Sequence, residues 1–213
     1  MPDSDLNLLQ DVVIKGEDQQ AKSITETALA DGMEPLHIVN EFLIPAMDEV
    51  GARFERNEYF VPELLLSARA MKACMTLIHP LLAERGNEPV GRVVIGTVKG
   101  DLHDIGKNLV GAMLEGGGFE VYDLGVNVSP EKFIEKVRST DAEIVGMSAL
   151  LTTTMPSMKK TIQAFDEAGL RDSVKMMVGG APVSQKFADE IGADGYGANA
   201  PLAVQLAKKL VSA

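Results

Sequence analysis

Residues 92–123 read RVVIGTVKGDLHDIGKNLVGAMLEGGGFEVYD and contain the pattern that decides the fold. A β-branched run over residues 92–97 predicts a buried strand, and a turn rich in glycine and aspartate follows it. Apolar residues at helical spacing predict a helix over residues 105–115, and residues 119–123 predict a second strand. A strand, a helix and a strand in this order indicate a parallel βαβ unit.

The rest of the C-terminal half repeats this alternation. Further strands are predicted over residues 143–148, 175–178 and 194–196. Further helices are predicted over residues 131–139, 156–168, 184–191 and 201–211. Five strands alternating with five helices predict an α/β domain with a parallel sheet of flavodoxin-like, Rossmann-type order. Because such sheets bind ligands at the carboxyl ends of their strands, we expect the site in the loops that start near Val98, Ser148 and Gly179.

The N-terminal half has helical periodicity throughout. Helices are predicted over residues 4–15, 19–30, 36–54 and 61–78, which together predict a four-helix bundle. The polar, turn-rich residues 85–89, RGNEP, follow the last helix and are interpreted as a linker. The sequence therefore predicts two domains, residues 1–88 and residues 89–213.

Charge and cysteine content exclude several classes of protein. The formal net charge is −11, of which −9 falls in residues 1–89, whereas phosphate contacts with nucleic acid need clustered Lys and Arg. The single cysteine, Cys74, excludes an internal disulfide and a multi-cysteine metal site, and is interpreted as a buried helix residue. No apolar run is long enough for a membrane span and no signal peptide is visible, so a cytoplasmic protein is expected.

The turn after the first strand carries the candidate site. Asp101 lies two residues before His103 and can accept the second ring N–H of this histidine, which fixes its tautomer and raises its basicity toward a metal. Gly106 allows a bulky group to approach the helix backbone. The residues alone favour equally the simpler interpretation that these side chains cap the following helix. The spacings of a Walker loop, a G-x-G-x-x-G fingerprint and an ordinary zinc site are not found.

Three short motifs, each after the expected strand and in the expected order, give this chain a resemblance to cobalamin-binding proteins. They correspond to the D-x-H-x-x-G signature of that family, its S-x-L element and its G-G pair. In this chain the motifs are Asp101-x-His103-x-x-Gly106, Ser148-Ala149-Leu150 and Gly179-Gly180.

The resemblance implies a role for each of these residues. In such proteins the histidine replaces the dimethylbenzimidazole base of cobalamin as the lower axial ligand of cobalt, so His103 is the expected metal ligand and Asp101 its hydrogen-bonding partner. Thr154, six residues after Ser148, aligns with the serine that completes this linkage in methionine synthase; it keeps the hydroxyl and adds a methyl group. The other expected cofactor contacts are Gly106, Ser148 and Leu150 near the buried base, and Gly179 and Gly180, which leave room for the nucleotide tail. No catalytic residue is expected.

The N-terminal half adds to the resemblance. Residues 48–63, DEVGARFERNEYFVPE, are similar to the cap module of methionine synthase, and more similar to the free-standing corrinoid proteins of methanol and methylamine methyltransferase systems. The resemblance implies that the bundle covers the upper face of the cobalamin, with Phe54, Tyr59 and Phe60 as candidate shielding residues. The alternative is that these aromatic residues are ordinary bundle core.

The implied function is that of a methyl carrier in one-carbon metabolism, such as methanogenesis or acetogenesis. Cobalt(I) would accept a methyl group from a substrate:corrinoid methyltransferase. Methyl-cobalt(III) would then donate it to a second methyltransferase acting on a thiol or a tetrahydrofolate-like acceptor. A reductive activator protein is a further expected partner. Catalysis by this chain alone is not expected, because the sequence shows no independent acid–base set.

Three other functions stay open at this point. One is a cobalamin-dependent sensor or regulator, although the chain lacks room for a DNA-binding module and contains no Trp. Another is the cobalamin-binding subunit of a mutase, which often lacks a four-helix cap. The third is a flavodoxin-like domain that binds flavin or no ligand.

Overall fold

The computed structural model describes residues 3–84 and 89–212. They separate into two compact units, one of the N-terminal helices with residues 115–118 and one of residues 90–114 with 119–212. The predicted linker lies outside the described residues except for Pro89, so the boundary between residues 88 and 89 stays a prediction. Within the described ranges, no helix is long and apolar enough to cross a membrane.

The first unit is a helical bundle. Its elements are α1 Asp3–Lys15, α2 Asp18–Ala30, α3 Pro35–Ile38, a π-helical turn Val39–Leu43, α4 Ile44–Glu55 and α5 Val61–Glu84. Helix α2 packs along α5, and α1 contacts α2, α4 and α5. After α1, Gly16 has a φ of 75°, and a Cβ there would lie 2.4 Å from the Cβ of Leu66. Glycine is therefore needed both for the left-handed turn and for the close approach of α5.

Most apolar positions predicted on the two long helices are buried. They are Val39, Phe42, Leu43, Ala46, Met47 and Val50 before and in α4, and Leu64, Ala68, Met71, Met75 and Ile78 in α5. Val61 and Leu65 are exposed, so these two apolar residues do not belong to the buried face of α5. Leu65 lies about 100° around the helix from Leu64 and falls outside the buried stripe. Cys74 is buried as predicted, and burial raises the pKa of its thiol to about 11.

The helix predicted over residues 36–54 differs from a regular α-helix. Its middle is the π-helical turn, in which the N–H of Ile44 bonds to the carbonyl of Val39, five residues earlier. Pro45 follows directly and has no N–H, so it cannot donate the bond that a regular helix would make to Glu41. In the π-helical turn the backbone N–H bonds to the carbonyl five residues earlier instead of four. This change comes immediately before Pro45, which has no N–H to donate.

The second unit is an α/β domain. Its strands are β1 Arg92–Thr97, β2 Glu120–Asp123, β3 Ile144–Ser148, β4 Lys175–Gly179 and β5 Gly195–Gly197. Its helices are α6 Ile105–Gly116, α7 Pro130–Thr140, α8 Pro156–Glu167, α9 Gln185–Ile191 and α10 Ala200–Val211, and a 3-10 turn spans Arg171–Ser173. All strand pairs are parallel in the order β2-β1-β3-β4-β5, which confirms the predicted flavodoxin-like sheet.

The strand order predicts where on the sheet a ligand binds. From β1 the chain goes outward to β2 and then crosses to β3 on the other side of β1, so the order reverses between β1 and β3. At the carboxyl ends Thr97 pairs with Ser148, and Ser148 pairs with Gly179. Ligands of open α/β sheets bind in the crevice at such a reversal.

The strands that end at this edge are held by a buried core. Val145 and Met147 of β3 lie in one apolar cluster with Phe133 of α7 and Phe165 of α8, and all four are buried. Dense packing of this kind leaves the strand ends little freedom to shift. The loops after β1 and β3 therefore start from fixed points.

Candidate cofactor site

Asp101 is the centre of the site, and it is fully buried. Its Oδ1 accepts the backbone N–H of His103 at 3.0 Å and lies 2.7 Å from the ring Nδ1 of the same residue. Its Oδ2 accepts the N–H groups of Leu150 at 2.8 Å and Leu151 at 3.2 Å. One carboxylate thus joins the loop after β1 to the loop after β3.

Thr154 completes this linkage. Its Oγ1 donates to Oδ2 of Asp101 at 2.6 Å. The carbonyl oxygen of Leu151 lies 2.8 Å from Oγ1 of Thr154 and is a second possible acceptor. Of the two acceptors, the charged carboxylate is the stronger. The structure therefore brings Thr154, Asp101 and His103 together in the order that the resemblance implied, with threonine in the third position.

The hydrogen bonds keep Asp101 ionised. Burial by itself raises the pKa of this carboxyl, but the bonds donated by Thr154, His103 and Leu150 outweigh burial and hold the pKa well below its usual range. An ionised carboxylate can only accept, so the proton between Asp101 and His103 belongs to Nδ1 of the imidazole.

This tautomer leaves Nε2 of His103 with its lone pair. The His103 side chain is 50% exposed, and Nε2 makes no hydrogen bond to any residue that the structure describes. A neutral imidazole with a carboxylate on one nitrogen and a free lone pair on the other is a ready ligand for a transition metal.

The simpler interpretation, in which Asp101 caps the following helix, does not hold. The bonds of Asp101 run to His103 and to the β3 loop, and α6 begins only at Ile105. The carbonyl of Asp104 accepts the N–H of Asn108 at 2.7 Å, which belongs to the ordinary helical ladder. The carboxylate is thus used to orient the imidazole and join two loops.

Several residues that hold the His103 loop were missed by the sequence analysis. Thr97 Oγ1 donates to the carbonyl of His103 at 2.9 Å. Asn127, which follows β2 with a φ of 54°, accepts the N–H of Gly100 at 2.8 Å and donates its own N–H to the carbonyl of Asp101 at 2.9 Å. The strand order could have pointed to Asn127. Because β2 neighbours β1, the loop after β2 lies beside the loop after β1 that contains His103.

Gly179, the last residue of β4, and Gly180, which follows it, lie against neighbouring backbone. Gly180 has a φ of 125°, and a Cβ there would lie 1.9 Å from the carbonyl oxygen of Ala149. A Cβ on Gly179 would come within 3.1 Å of the carbonyl oxygen of Gly197. The expected reason for glycine was room for a nucleotide tail, whereas at Gly180 the close backbone packing and the positive φ are already sufficient.

The remaining predicted residues surround the crevice and fit a large, partly apolar cofactor. Ser148 is half-buried at the end of β3, and its hydroxyl has no partner within the described part of the chain. A Cβ on Gly106 would meet nothing within 4 Å. Leu102 and Ile105, on either side of His103, are 70% and 81% exposed, and Leu150 is exposed across the crevice. A planar cofactor with an apolar face would cover these side chains.

Comparison with known proteins finds relatives that cover nearly the whole chain. The chain is 43% identical over 208 residues to a dimethylamine corrinoid protein of Methanosarcina barkeri, covering 97% of each chain. The structure of a cobalamin-binding protein from Desulfitobacterium hafniense has a TM-score of 0.79 at 31% identity, covering 96% of this chain and 98% of that chain. The structure of the methanol:cobalamin methyltransferase complex of Methanosarcina barkeri has a TM-score of 0.87 at 27% identity, covering 100% of this chain and 81% of that chain.

Family models match both halves of the chain. A B12 binding domain model matches residues 91–205, and a second B12 binding domain model matches residues 6–78. With the fold and the site, these matches define a cobalamin-binding protein. The chain belongs to the corrinoid protein family, and its cofactor is a corrinoid. The alternative of a flavodoxin-like domain that binds flavin or nothing is therefore wrong.

Proposed function

We propose that this protein carries a methyl group on its corrinoid between two methyltransferases. The observation that carries the proposal is the Asp101-held imidazole of His103, with a free Nε2 at the strand-order reversal of a corrinoid protein. The bound corrinoid supplies the cobalt centre at which a methyl group is held and released. His103 is the proposed lower axial ligand of that cobalt.

The residues around His103 have a defined task in this proposal. The ionised Asp101 holds the Nδ1 proton and increases the electron density that Nε2 offers to cobalt. The donors on its other oxygen, from Leu150, Leu151 and Thr154, stabilise the negative charge and keep the proton on the imidazole. These buried groups would thereby set how strongly His103 could bind the metal of a corrinoid.

The other motif residues are proposed to seat the cofactor. Ser148 offers an unpartnered hydroxyl to the buried base, and Leu150 offers an apolar contact beside it. Gly106 leaves open space over the first turn of α6. The backbone of Gly179 and Gly180 is proposed to face the nucleotide tail, in addition to the packing that both residues need.

The helical unit, residues 1–88 by the predicted boundary, is proposed to be the cap of the cofactor's upper face. The match of residues 6–78 to a B12 binding domain supports this role. Phe54 and Tyr59 are half-buried, and Tyr59 donates its hydroxyl to the carbonyl of Ile14 at 3.1 Å. Phe60 is 60% exposed and is the strongest candidate of the three for a shielding residue.

The proposed partners are a substrate:corrinoid methyltransferase, a second methyltransferase with a thiol or tetrahydrofolate-like acceptor, and a reductive activator. A relative named for dimethylamine and a structural neighbour named for methanol support a small methylated donor. Transfer of labelled methyl groups from methylamines or methanol to the corrinoid-loaded chain, catalysed by a purified substrate methyltransferase, tests the first step. A chain that accepts no label from any of these donors contradicts the proposal.

The ligand role of His103 is tested separately by the absorbance spectrum of the chain after incubation with cobinamide, a corrinoid without the benzimidazole base, and desalting. We expect the wild type and His79→Ala to retain the same spectrum, because His79 lies exposed on α5 of the helical unit. His103→Ala is expected to lose the spectral features of nitrogen ligation. An unchanged spectrum in His103→Ala would contradict the ligand assignment.

A further inference from the structure

Lys107 is a buried cation that the proposed function leaves without a role. It lies on α6, four residues after His103, and its side chain is 1% exposed. Its Nζ is ion-paired with Oδ2 of Asp123 and also donates to Oδ1 of Asn108 at 2.7 Å. A buried ammonium group is costly unless it is paired, so this lysine is held in one place.

Asp123 connects this cation to the end of β1. Asp123 is the last residue of β2 and is 45% exposed, and its Oδ1 accepts the N–H of Gly125 at 2.8 Å. The carbonyl of Gly125 accepts the N–H of Thr97 at 2.9 Å. The turn after β2 is therefore fixed both to the last residue of β1 and, through the carboxylate, to α6.

These contacts close a ring around the backbone of His103. Thr97 donates its hydroxyl to the carbonyl of His103 at 2.9 Å. From His103 the chain runs through Asp104 into the first turn of α6, which contains Lys107. The ion pair returns from Lys107 to Asp123, whose turn holds Thr97. The links of this ring are hydrogen bonds, the ion pair and short stretches of backbone, and the ion pair is the link that a single charge change removes.

We infer that Lys107, through its buried ion pair with Asp123, is a positioning residue that fixes the first turn of α6 and thereby the approach of the His103 imidazole to cobalt. The inference rests on the proposed ligand role of His103. Lys107 itself has no contact with the imidazole. Its effect is expected on the fraction of bound corrinoid that is ligated by nitrogen, and much less on the retention of the corrinoid.

The test uses Lys107→Met in the full chain, because methionine keeps an unbranched apolar stem and removes the charge. Lys160→Met, an exposed lysine of α8, is the matched control. Each protein is loaded with cobinamide, a corrinoid that lacks the benzimidazole base, so that a nitrogen ligand can come only from the protein. The cobalt is then reduced to the cobalt(II) state and measured by electron paramagnetic resonance. A single nitrogen ligand splits the cobalt lines into triplets, so the spectrum reports axial ligation directly. Corrinoid retention and the unfolding midpoint are measured in parallel.

We expect the ratio of nitrogen-ligated to unligated corrinoid to fall about tenfold in Lys107→Met, the low end of what loss of an outer-shell partner costs in metal affinity. Lys160→Met is expected to match the wild type. Fully nitrogen-ligated, correctly folded Lys107→Met would overturn the inference. If Lys107→Met does not fold, Asp123→Asn decides the question, because it breaks the same ion pair from an exposed position. A normal triplet in Asp123→Asn then overturns it.

Two further outcomes separate this inference from the proposed function. A wild-type spectrum without triplets means that His103 is not a cobalt ligand, and both proposals fail. Triplets in the wild type that disappear in His103→Ala confirm the ligand, so an unaffected Lys107→Met then counts against the positioning role alone. The double variant Lys107→Met/Asp123→Asn is expected to lose no more ligation than either single variant, because one contact can be removed only once.

Discussion

Replacement of Asp101 by asparagine tests the central linkage, because the amide has nearly the shape of the carboxylate but only one acceptor oxygen. In the wild type Oδ2 receives three donors, from Leu150, Leu151 and Thr154. Oδ1 receives the backbone N–H and the ring N–H of His103. The asparagine oxygen is expected on the side with three donors, which leaves its NH2 group facing His103.

This orientation has two consequences. The backbone N–H of His103 then faces another donor and stays unsatisfied, while the ring can adapt only by accepting the amide N–H at Nδ1. The loss of two bonds to a buried charge costs about 2–4 kcal/mol of unfolding free energy. The adapted imidazole carries its proton on Nε2, which removes the lone pair that would bind cobalt. We therefore expect ligation of bound corrinoid to weaken by about 10- to 100-fold.

Two measurements test this reasoning. Denaturant unfolding of the cofactor-free chain gives the loss of stability, and the absorbance spectrum with cobinamide, which has no nitrogen base of its own, gives the ligation. Asp104→Asn is the matched control, because its carboxylate makes no hydrogen bond within the described ranges and it is adjacent to His103. Normal ligation in Asp101→Asn would refute the tautomer argument. Equal destabilisation by Asp104→Asn would refute the assignment of the cost to the buried network.

Three further predictions concern Gly180, Thr154 and Cys74. Gly180→Ala should lower the unfolding free energy by about 3 kcal/mol or more, because the new Cβ meets a carbonyl oxygen at a positive φ. Gly192→Ala, with open space and a φ of 77°, should cost only about 1–2 kcal/mol, and equal losses would contradict the clash. Thr154→Val should destabilise the chain more than Thr154→Ser, which keeps the bond to the carboxylate, and the reverse order in denaturant unfolding would contradict that bond. Cys74 should not react with a disulfide reagent at pH 8 until the chain unfolds, because burial raises its thiol pKa to about 11, whereas rapid native labelling would contradict this.

The pairing of Asp101 with His103 could be predicted from the sequence because the two residues are two apart, within reach of each other in any turn. Thr154 is 53 residues away from Asp101, and only the family resemblance pointed to it. The sheet order was predictable because five short predicted strands alternate with helices and right-handed crossovers leave few topologies. The spacing of apolar residues predicts the buried face of a helix well. It does not predict a local change of helix type such as the π-helical turn before Pro45.

The residues that escaped prediction hold the site through contacts distant in sequence. Asn127 and Thr97 act on the backbone of the His103 loop, and backbone partners leave no residue-type pattern in a single sequence. The pairing of Lys107 with Asp123 has a spacing of 16 residues and crosses from a helix to the neighbouring strand. Such pairs become visible only when the strand order is known.

The site combines a fixed backbone with a side chain that is half exposed. The N–H of His103 is bound by Asp101 and its carbonyl by Thr97, while the ring is held only through Nδ1. Release of Nε2 from a metal therefore requires no rearrangement of the loop, because the Asp101 bond can keep the imidazole oriented in both states. If His103 is the metal ligand of the proposed methyl carrier, its imidazole would have to bind and release the metal repeatedly. A fixed loop would suit this role, since re-forming a disordered loop would add its entropy cost each time.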